Sequence, residues 1–278
     1  MSIFQNAIES INDSNHEFYG PKSFLDYLSE NNLSEKSTAQ HISVDSYEKL
    51  NGTLRENKLM VLRLGSQPDS RGTSFILTKT QNNWNDFFIF DRDLIADKDP
   101  SIFIPETSQR ELYPFQLLPK LTETSMVNLA IGSGLLSRAL EIDEYSSSTM
   151  FATGQSTFTF EFQLRENSQQ KLHHVNGQIE IDGLFLGRKN NNEKLILVEA
   201  KHGVNQGQSL AKHKLFYPYK ALESSIPDYF SIMPVYIKSW EENKVLHFLI
   251  TECEVTNSDV LTSLKPKKST YFAVANLR

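Results

Sequence analysis

Gly177-Gln178-Ile179-Glu180-Ile181-Asp182-Gly183-Leu184-Phe185 and Leu195-Ile196-Leu197-Val198-Glu199-Ala200-Lys201 are two apolar, strand-like runs that carry ionisable groups. The first holds Asp182; the second holds Glu199 and Lys201 two positions apart. Between them Arg188-Lys189-Asn190-Asn191-Asn192-Glu193 reads as a hairpin connection. The two-residue period of a strand puts Glu199 and Lys201 on one face and Val198 and Ala200 on the other. Hairpin pairing brings Asp182 beside Glu199. Two carboxylates can hold a hard divalent cation through oxygen. A neighbouring ammonium can offset developing negative charge or orient a water. This is the chemistry of phosphodiester hydrolysis.

The rest of the chain sets bounds on that reading. Its 278 residues suffice for one large domain or two ordinary ones, and a hydrophobic content of 39% supports a packed core. No run of about 18 apolar residues suggests a membrane span. The start, Met1-Ser2-Ile3-Phe4-Gln5-Asn6, has neither the basic nor the apolar region of a secretory signal, so a cytoplasmic location is expected. Cys253 is the single cysteine, which excludes an intrachain disulfide and any multi-cysteine zinc site. The net charge of −6, from 28 Lys+Arg against 34 Asp+Glu, argues against coating nucleic acid by bulk charge. A basic cleft within an acidic exterior remains compatible with it.

Along the chain, helical spacing of Ile3, Phe4, Ala7, Ile8 and Ile11 predicts a short helix. Gly20-Pro21-Lys22-Ser23 reads as a loop, with Ser23 capping a helix to about Asn31. Another short helix is expected over Tyr47–Asn57, then strands at 59–64, 74–77 and 87–90. Residues 1–110 are therefore expected to form a small α+β unit that reads DNA. In it, Arg63, Arg71 and Lys79 suit phosphate contacts, and Gln67, Asn82 and Asn83 suit base edges. The proline-marked stretch from Asp91 to Lys120 is expected to be an irregular connection. Residues 120–278 form the second domain. A long helix is expected over 124–141, in which Gly132-Ser133-Gly134 allows close packing or a slight kink. A strand at 157–164, the two opening runs, a helix over Gln206–Ser224 and strands at 232–240 and 245–254 follow. The fold class is α/β, α+β overall, with a mixed sheet flanked by helices.

This element order, together with Ile181-Asp182 and Val198-Glu199-Ala200-Lys201, resembles the PD-(D/E)xK nuclease superfamily, the restriction-endonuclease-like fold. The resemblance covers residues ~124–254 by element order. Asp182 matches the family's metal-binding aspartate, Glu199 its variable acidic position and Lys201 its lysine; Ile181 stands where the motif's name has proline. The resemblance implies Mg²⁺ held by Asp182, Glu199 and the Ala200 carbonyl. It implies hydrolysis of double-stranded DNA, as in a type II restriction endonuclease of phage defence, and a homodimer. A structure-specific, repair or transposition nuclease, or a non-catalytic DNA-binding relative, shares the fold. The further acidic residue that the family often carries before the sheet is matched by Glu123 or Glu141, between which the sequence does not choose. Gln208 and Tyr217 or Tyr219 correspond loosely to positions on the helix after the lysine.

Other groups have plainer readings. Glu180 shares a face with Asp182 and reads as a solvated partner of a lysine. His173 and His174 are adjacent and point to opposite faces of a strand, which disfavours joint metal ligation. His202 reads as a loop histidine. Lys212 and His213 stand on the helix where they could face DNA. Trp84, Phe87 and Phe90 read as core, and Cys253 as a buried, inert thiol.

Overall fold

The computed structural model describes residues 2–13, 16–33, 39–68, 70–96, 98–118, 120–143, 150–203 and 208–275. In chain order the N-terminal part contains α1 (Gln5–Asn12), β1 (Phe18–Ser23), α2 (Phe24–Glu30), α3 (Ala39–Ile42), α4 (Gly52–Glu56), β2 (Leu59–Arg63), β3 (Ser74–Lys79), β4 (Phe88–Phe90) and α5 (Asp91–Ile95). There follow β5 (Ser101–Phe103), α6 (Gln109–Leu117), α7 (Glu123–Gly132), α8 (Leu135–Leu140), β6 (Ala152–Phe162), β7 (Leu172–Lys189) and β8 (Asn192–Gly203). β9 (Ser209–Ala211), α9 (His213–Glu223), β10 (Ser231–Glu242), β11 (Val245–Val255) and β12 (Leu264–Val274) complete the chain.

The second half is built on a seven-stranded mixed sheet in the order β5-β12-β11-β10-β8-β7-β6. β8 and β10 are parallel and joined by a crossover through α9; β7 pairs antiparallel with both β6 and β8. One face of this sheet buries Val198, Ala200, Val235, Ile237, Phe248 and Ile250 under α6, α7 and α8. The other face buries Leu197, Tyr236, Trp240 and Leu249 with α9 and with residues of the N-terminal half such as Phe4, Leu62 and Phe75. The expected split of apolar residues between the two faces of β8 is thus realised. The chain is a mixed α/β protein, α+β overall.

The N-terminal half holds a three-stranded antiparallel sheet, β1-β3-β2, with α1 and α2 against it. It is stitched to the second half of the chain in several places. β4 pairs with β9, and Gly65 bridges Val175 of β7. Arg165, just after β6, pairs with Glu17 at 2.9 Å.

Several boundaries differ from those expected. The helix over 124–141 is two helices, because Gly134 takes φ +78° and breaks the hydrogen-bond ladder between α7 and α8. The helix expected from Gln206 starts at His213; Ser209–Ala211 is drawn into a strand by β4. Pro218 does not end it, because its buried face (Leu215, Phe216, Tyr217, Ala221) holds the helix through to Glu223. The stretch from Asp91 to Lys120 is not wholly irregular: it supplies α5, α6 and β5, the edge strand of the large sheet. Gly20-Pro21 lies inside β1, where the register with β3 shifts between Tyr19 and Lys22. Ser23 caps α2 as expected, its hydroxyl accepting from the Asp26 amide at 3.2 Å. Asp69 and Gln206 lie outside the described residues.

Candidate active site

The ladder between β7 and β8 runs to the pair Gly183–Val198 and stops one step short of pairing Asp182 with Glu199. Beyond this point β7 leaves β8 and stays paired with β6, from Ile181 opposite Gly154. Two strands that separate leave backbone amides without partners, and buried amides need one. Asp182 supplies it: its Oδ2 accepts the Ala200 amide hydrogen at 2.8 Å. The notch where the strands part is therefore lined by the Asp182 carboxylate on one side and the Glu199-Ala200-Lys201 segment on the other. It sits toward the C-terminal end of β8, where open α/β sheets bind ligands.

Glu199 is 2% exposed. Its Oε1 lies 2.9 Å from Lys201 Nζ and 3.9 Å from Lys214 Nζ, yet the approach directions leave this oxygen without a hydrogen bond. Burial pushes the Glu199 carboxyl up to about 7, against the pull of the Lys214 and Lys201 ammoniums. Burial alone would depress Lys201, but Glu199 and Glu123 outweigh it and hold the lysine above its ordinary value. These two groups titrate as a coupled pair. Lys201 keeps its proton, so Glu199 is the member that carries the strain of burial.

The two candidate helix acids separate cleanly. Glu123 opens α7, which Thr122 caps by accepting from the Ser125 amide at 3.2 Å. Its Oε1 accepts from the His202 amide at 3.3 Å and its Oε2 lies 3.9 Å from Lys201 Nζ. Glu141 closes α8 and pairs with Lys268 on β12, three strands away from β8 in the sheet. Of the two alternatives the sequence left open, Glu141 lies away from the other acids: α8 ends at its own left-handed turn (φ +56°), and its partner is Lys268.

Behind this set lies a buried polar group that sequence reasoning missed. Lys238 is fully buried on β10, in register with Lys201, and donates to Gln208 Oε1 at 2.5 Å. Tyr236, in register with Glu199, donates to Asp91 Oδ1 at 3.0 Å, and the Gln208 amide donates to Asp91 Oδ2 at 3.2 Å. Burial raises Asp91 to about 6, although Lys238 and Tyr236 oppose it. Gln208 thus reaches the neighbourhood of the site from ahead of β9 and not from a helix. Lys214 was also missed. The available signal for Lys238 was an ammonium in the middle of the apolar run Val235–Trp240.

The other residues singled out by sequence fall elsewhere. Lys212 is buried, and the charges acting on it are Asp86, Lys265 and Cys253, none of them in the notch; burial lowers it to about 8. It does not face the notch. Arg71 is held by Asp26 at 2.9 Å, and Gln67 donates to the His173 carbonyl at 2.7 Å, so both are engaged within the fold. His173 pairs with Glu161, while His174 is buried against Phe160 with Nδ1 3.2 Å from the Phe158 carbonyl. The two histidines do point apart. His202 lies in β8, not a loop, with Nδ1 3.0 Å from Ser239 Oγ. Tyr217 is buried and its hydroxyl donates to the Arg63 carbonyl at 3.3 Å. Phe87 and Phe90 are core; Cys253 is buried, its thiol pushed up to about 12.

Among the described residues no three His, Cys, Asp or Glu side chains gather closely enough to hold a metal ion by themselves. Asp182, Glu199 and the Ala200 carbonyl offer two carboxylates and one carbonyl, all oxygen. Such a partial set suits Mg²⁺, which is held by one or two carboxylates and keeps several waters. The buried Glu199 oxygen without a hydrogen bond is the observation that fits a cation here.

Residues 99–273 match the family described as a domain of unknown function, DUF6997, and the chain belongs to that family. No curated protein and no solved structure matches the chain. The matched range takes in the whole large sheet apart from the last residue of β12, and with it Asp182, Glu199, Lys201, Glu123 and Lys238.

Proposed function

We propose that this protein is a Mg²⁺-dependent deoxyribonuclease, hydrolysing phosphodiester bonds of double-stranded DNA in the manner of a type II restriction endonuclease of the PD-(D/E)xK superfamily. The observation that carries the reading is the Asp182–Ala200 hydrogen bond at the parting of β7 and β8, which sets a second carboxylate beside buried Glu199 and Lys201. Asp182, Glu199 and the Ala200 carbonyl would hold the cation. Bound there, Mg²⁺ would supply Lewis acidity toward the phosphate and lower the pKa of a water.

The chain's own groups divide the remaining work. Lys201 stays protonated beside Glu199 and stabilises negative charge on the phosphate oxygens, or orients the attacking water. Glu123 holds the His202 amide and faces Lys201, so it fixes the lysine's end of the notch. The Asp91–Gln208–Lys238 group supports the strand ends from behind. By superfamily analogy a homodimer would cut both strands.

The test is incubation of the purified protein with phage and plasmid DNA in Mg²⁺ or EDTA. Discrete, reproducible fragments in Mg²⁺ alone support a sequence-specific endonuclease. A smear supports a nuclease of broader or structural preference. Intact DNA under both conditions contradicts the enzymatic reading and leaves a DNA-binding protein with this fold.

A further inference from the structure

Beside the notch, between β2, β7 and the first turn of α9, lies a cleft of about 140 Å³ whose lining includes Arg63, His174, Gln178, Glu180, His213 and Lys214. It is continuous with the candidate site through Lys214, whose ammonium lies 3.9 Å from Glu199 Oε1. Arg63 has no carboxylate partner among the described residues, and Lys214 has only that long approach to Glu199. His213 Nδ1 is buried without a hydrogen-bond partner. Both histidines are neutral, since burial pulls His174 to about 4 and His213 to about 3. The cleft therefore holds two cations against one carboxylate, Glu180, whose Oε1 is 3.5 Å from the Gln178 amide nitrogen. The first turn of a helix adds its own preference for an anion.

We infer that this cleft seats a phosphate of the DNA strand, adjacent to the one presented to Asp182, Glu199 and Lys201. The inference rests on the nuclease reading for the identity of the ligand. A guanidinium offers a planar fork to phosphate oxygens and an ammonium a point charge. The space accommodates a phosphate group and little more, so a duplex can present only its backbone there. The seat also gives the N-terminal half a part in the site: Arg63 comes from β2, and the Arg63 carbonyl is itself held by Tyr217 of α9. Glu180 acts against the phosphate and sets which side of the cleft it takes.

The experiment measures binding of the full chain, in EDTA so that no hydrolysis intervenes, to a fluorescently labelled duplex and to single strands with and without a 5′-phosphate. Arg63→Gln and Lys214→Gln are each expected to weaken binding roughly fivefold or more and to reduce the salt slope by about one. Glu180→Gln is expected to tighten it severalfold, a gain that a misfolded variant cannot give. Loss confined to the 5′-phosphorylated strand assigns the seat to a chain end; loss on all three ligands assigns it to an internal phosphate, and both support it. Wild-type affinity in Arg63→Gln and Lys214→Gln overturns it. DNA left uncut in Mg²⁺, with these variants still weakening binding, removes hydrolysis and keeps the seat. Cleavage with unaltered binding removes the seat and keeps hydrolysis.

Discussion

Glu199 is the residue on which the site's electrostatics turn. Its carboxyl is raised by burial to about 7, so the folded chain binds more protons than the unfolded chain between the ordinary carboxylate range and that value. Where the native state binds the extra proton, stability falls as pH rises. Its contribution is thus present at acid pH and lost as pH rises toward neutrality, in the absence of a divalent cation. Buried, neutral His174 and His213 act in the opposite sense: they destabilise as pH falls below the ordinary histidine range. The informative quantity is therefore the difference between wild type and Glu199→Gln. Urea titrations from about pH 5 to pH 8 are expected to show a more positive pH slope in the variant. Parallel slopes would mean that Glu199 is not strained by burial. At this scale the sequence was readable for Asp182, Glu199 and Lys201, because strand period and hairpin pairing depend on local order. It was not readable for Glu123 against Glu141, since that choice depends on where a glycine breaks a helix. Lys238 and Lys214 escaped because a lysine on a strand or helix ordinarily reads as solvated.

Among the elements, the N-terminal half and β7 meet in a close backbone approach at Gly65. Gly65 has φ +73°, and a Cβ there would lie 2.2 Å from the Val175 carbonyl oxygen and 2.7 Å from Gly177 Cα. Its neighbours are hydrogen-bonded across the same bridge, Ser66 to Val175 at 2.7 Å and Val175 to Leu64 at 2.9 Å. Backbone cannot yield as a flexible side chain does, and the left-handed conformation adds strain for any other residue. Gly65→Ala is expected to cost about 2 kcal/mol or more by denaturant unfolding. A change below about 0.5 kcal/mol would show that the bridge is not tight. Strands β6, β7 and β8 were legible from alternation and apolar runs. β12 was not, because Lys265-Pro266-Lys267-Lys268 interrupts its pattern; its pairing with β11 at the sheet's edge side makes it a strand. β9 and the late start of α9 likewise come from a partner strand some 120 residues earlier, which no local window contains.

At the level of the whole molecule, a division at the proline-rich stretch divides the sequence more readily than it divides the core. Phe4, Leu62 and Phe75 share one buried cluster with Phe216, Tyr236 and Trp240. Polar links cross the same boundary: Asp91 with Tyr236, Glu48 with Ser209, Glu17 with Arg165. Removing the first half would expose that apolar face of the sheet and orphan Arg165, a buried cation whose partner Glu17 is lost. A fragment of residues 120–278 is expected to aggregate or to lose cooperative unfolding, as followed by circular dichroism and size-exclusion chromatography. A monodisperse, cooperatively folding fragment would establish the second half as independent. No helix among the described residues is long and apolar enough to cross a membrane.

Hydrolysis by this protein requires that Lys201 and its two carboxylates form a hydrolytic centre. The direct measurement is the rate at which supercoiled plasmid is nicked or linearised in Mg²⁺ by wild type and by Lys201→Ala, each shown to be folded by circular dichroism. The prediction is Mg²⁺-dependent cutting by wild type and a loss on the order of 10²–10³-fold in the variant, the size expected when a group that stabilises transition-state charge is removed. Equal rates in the two proteins, or no cutting by either, would contradict it.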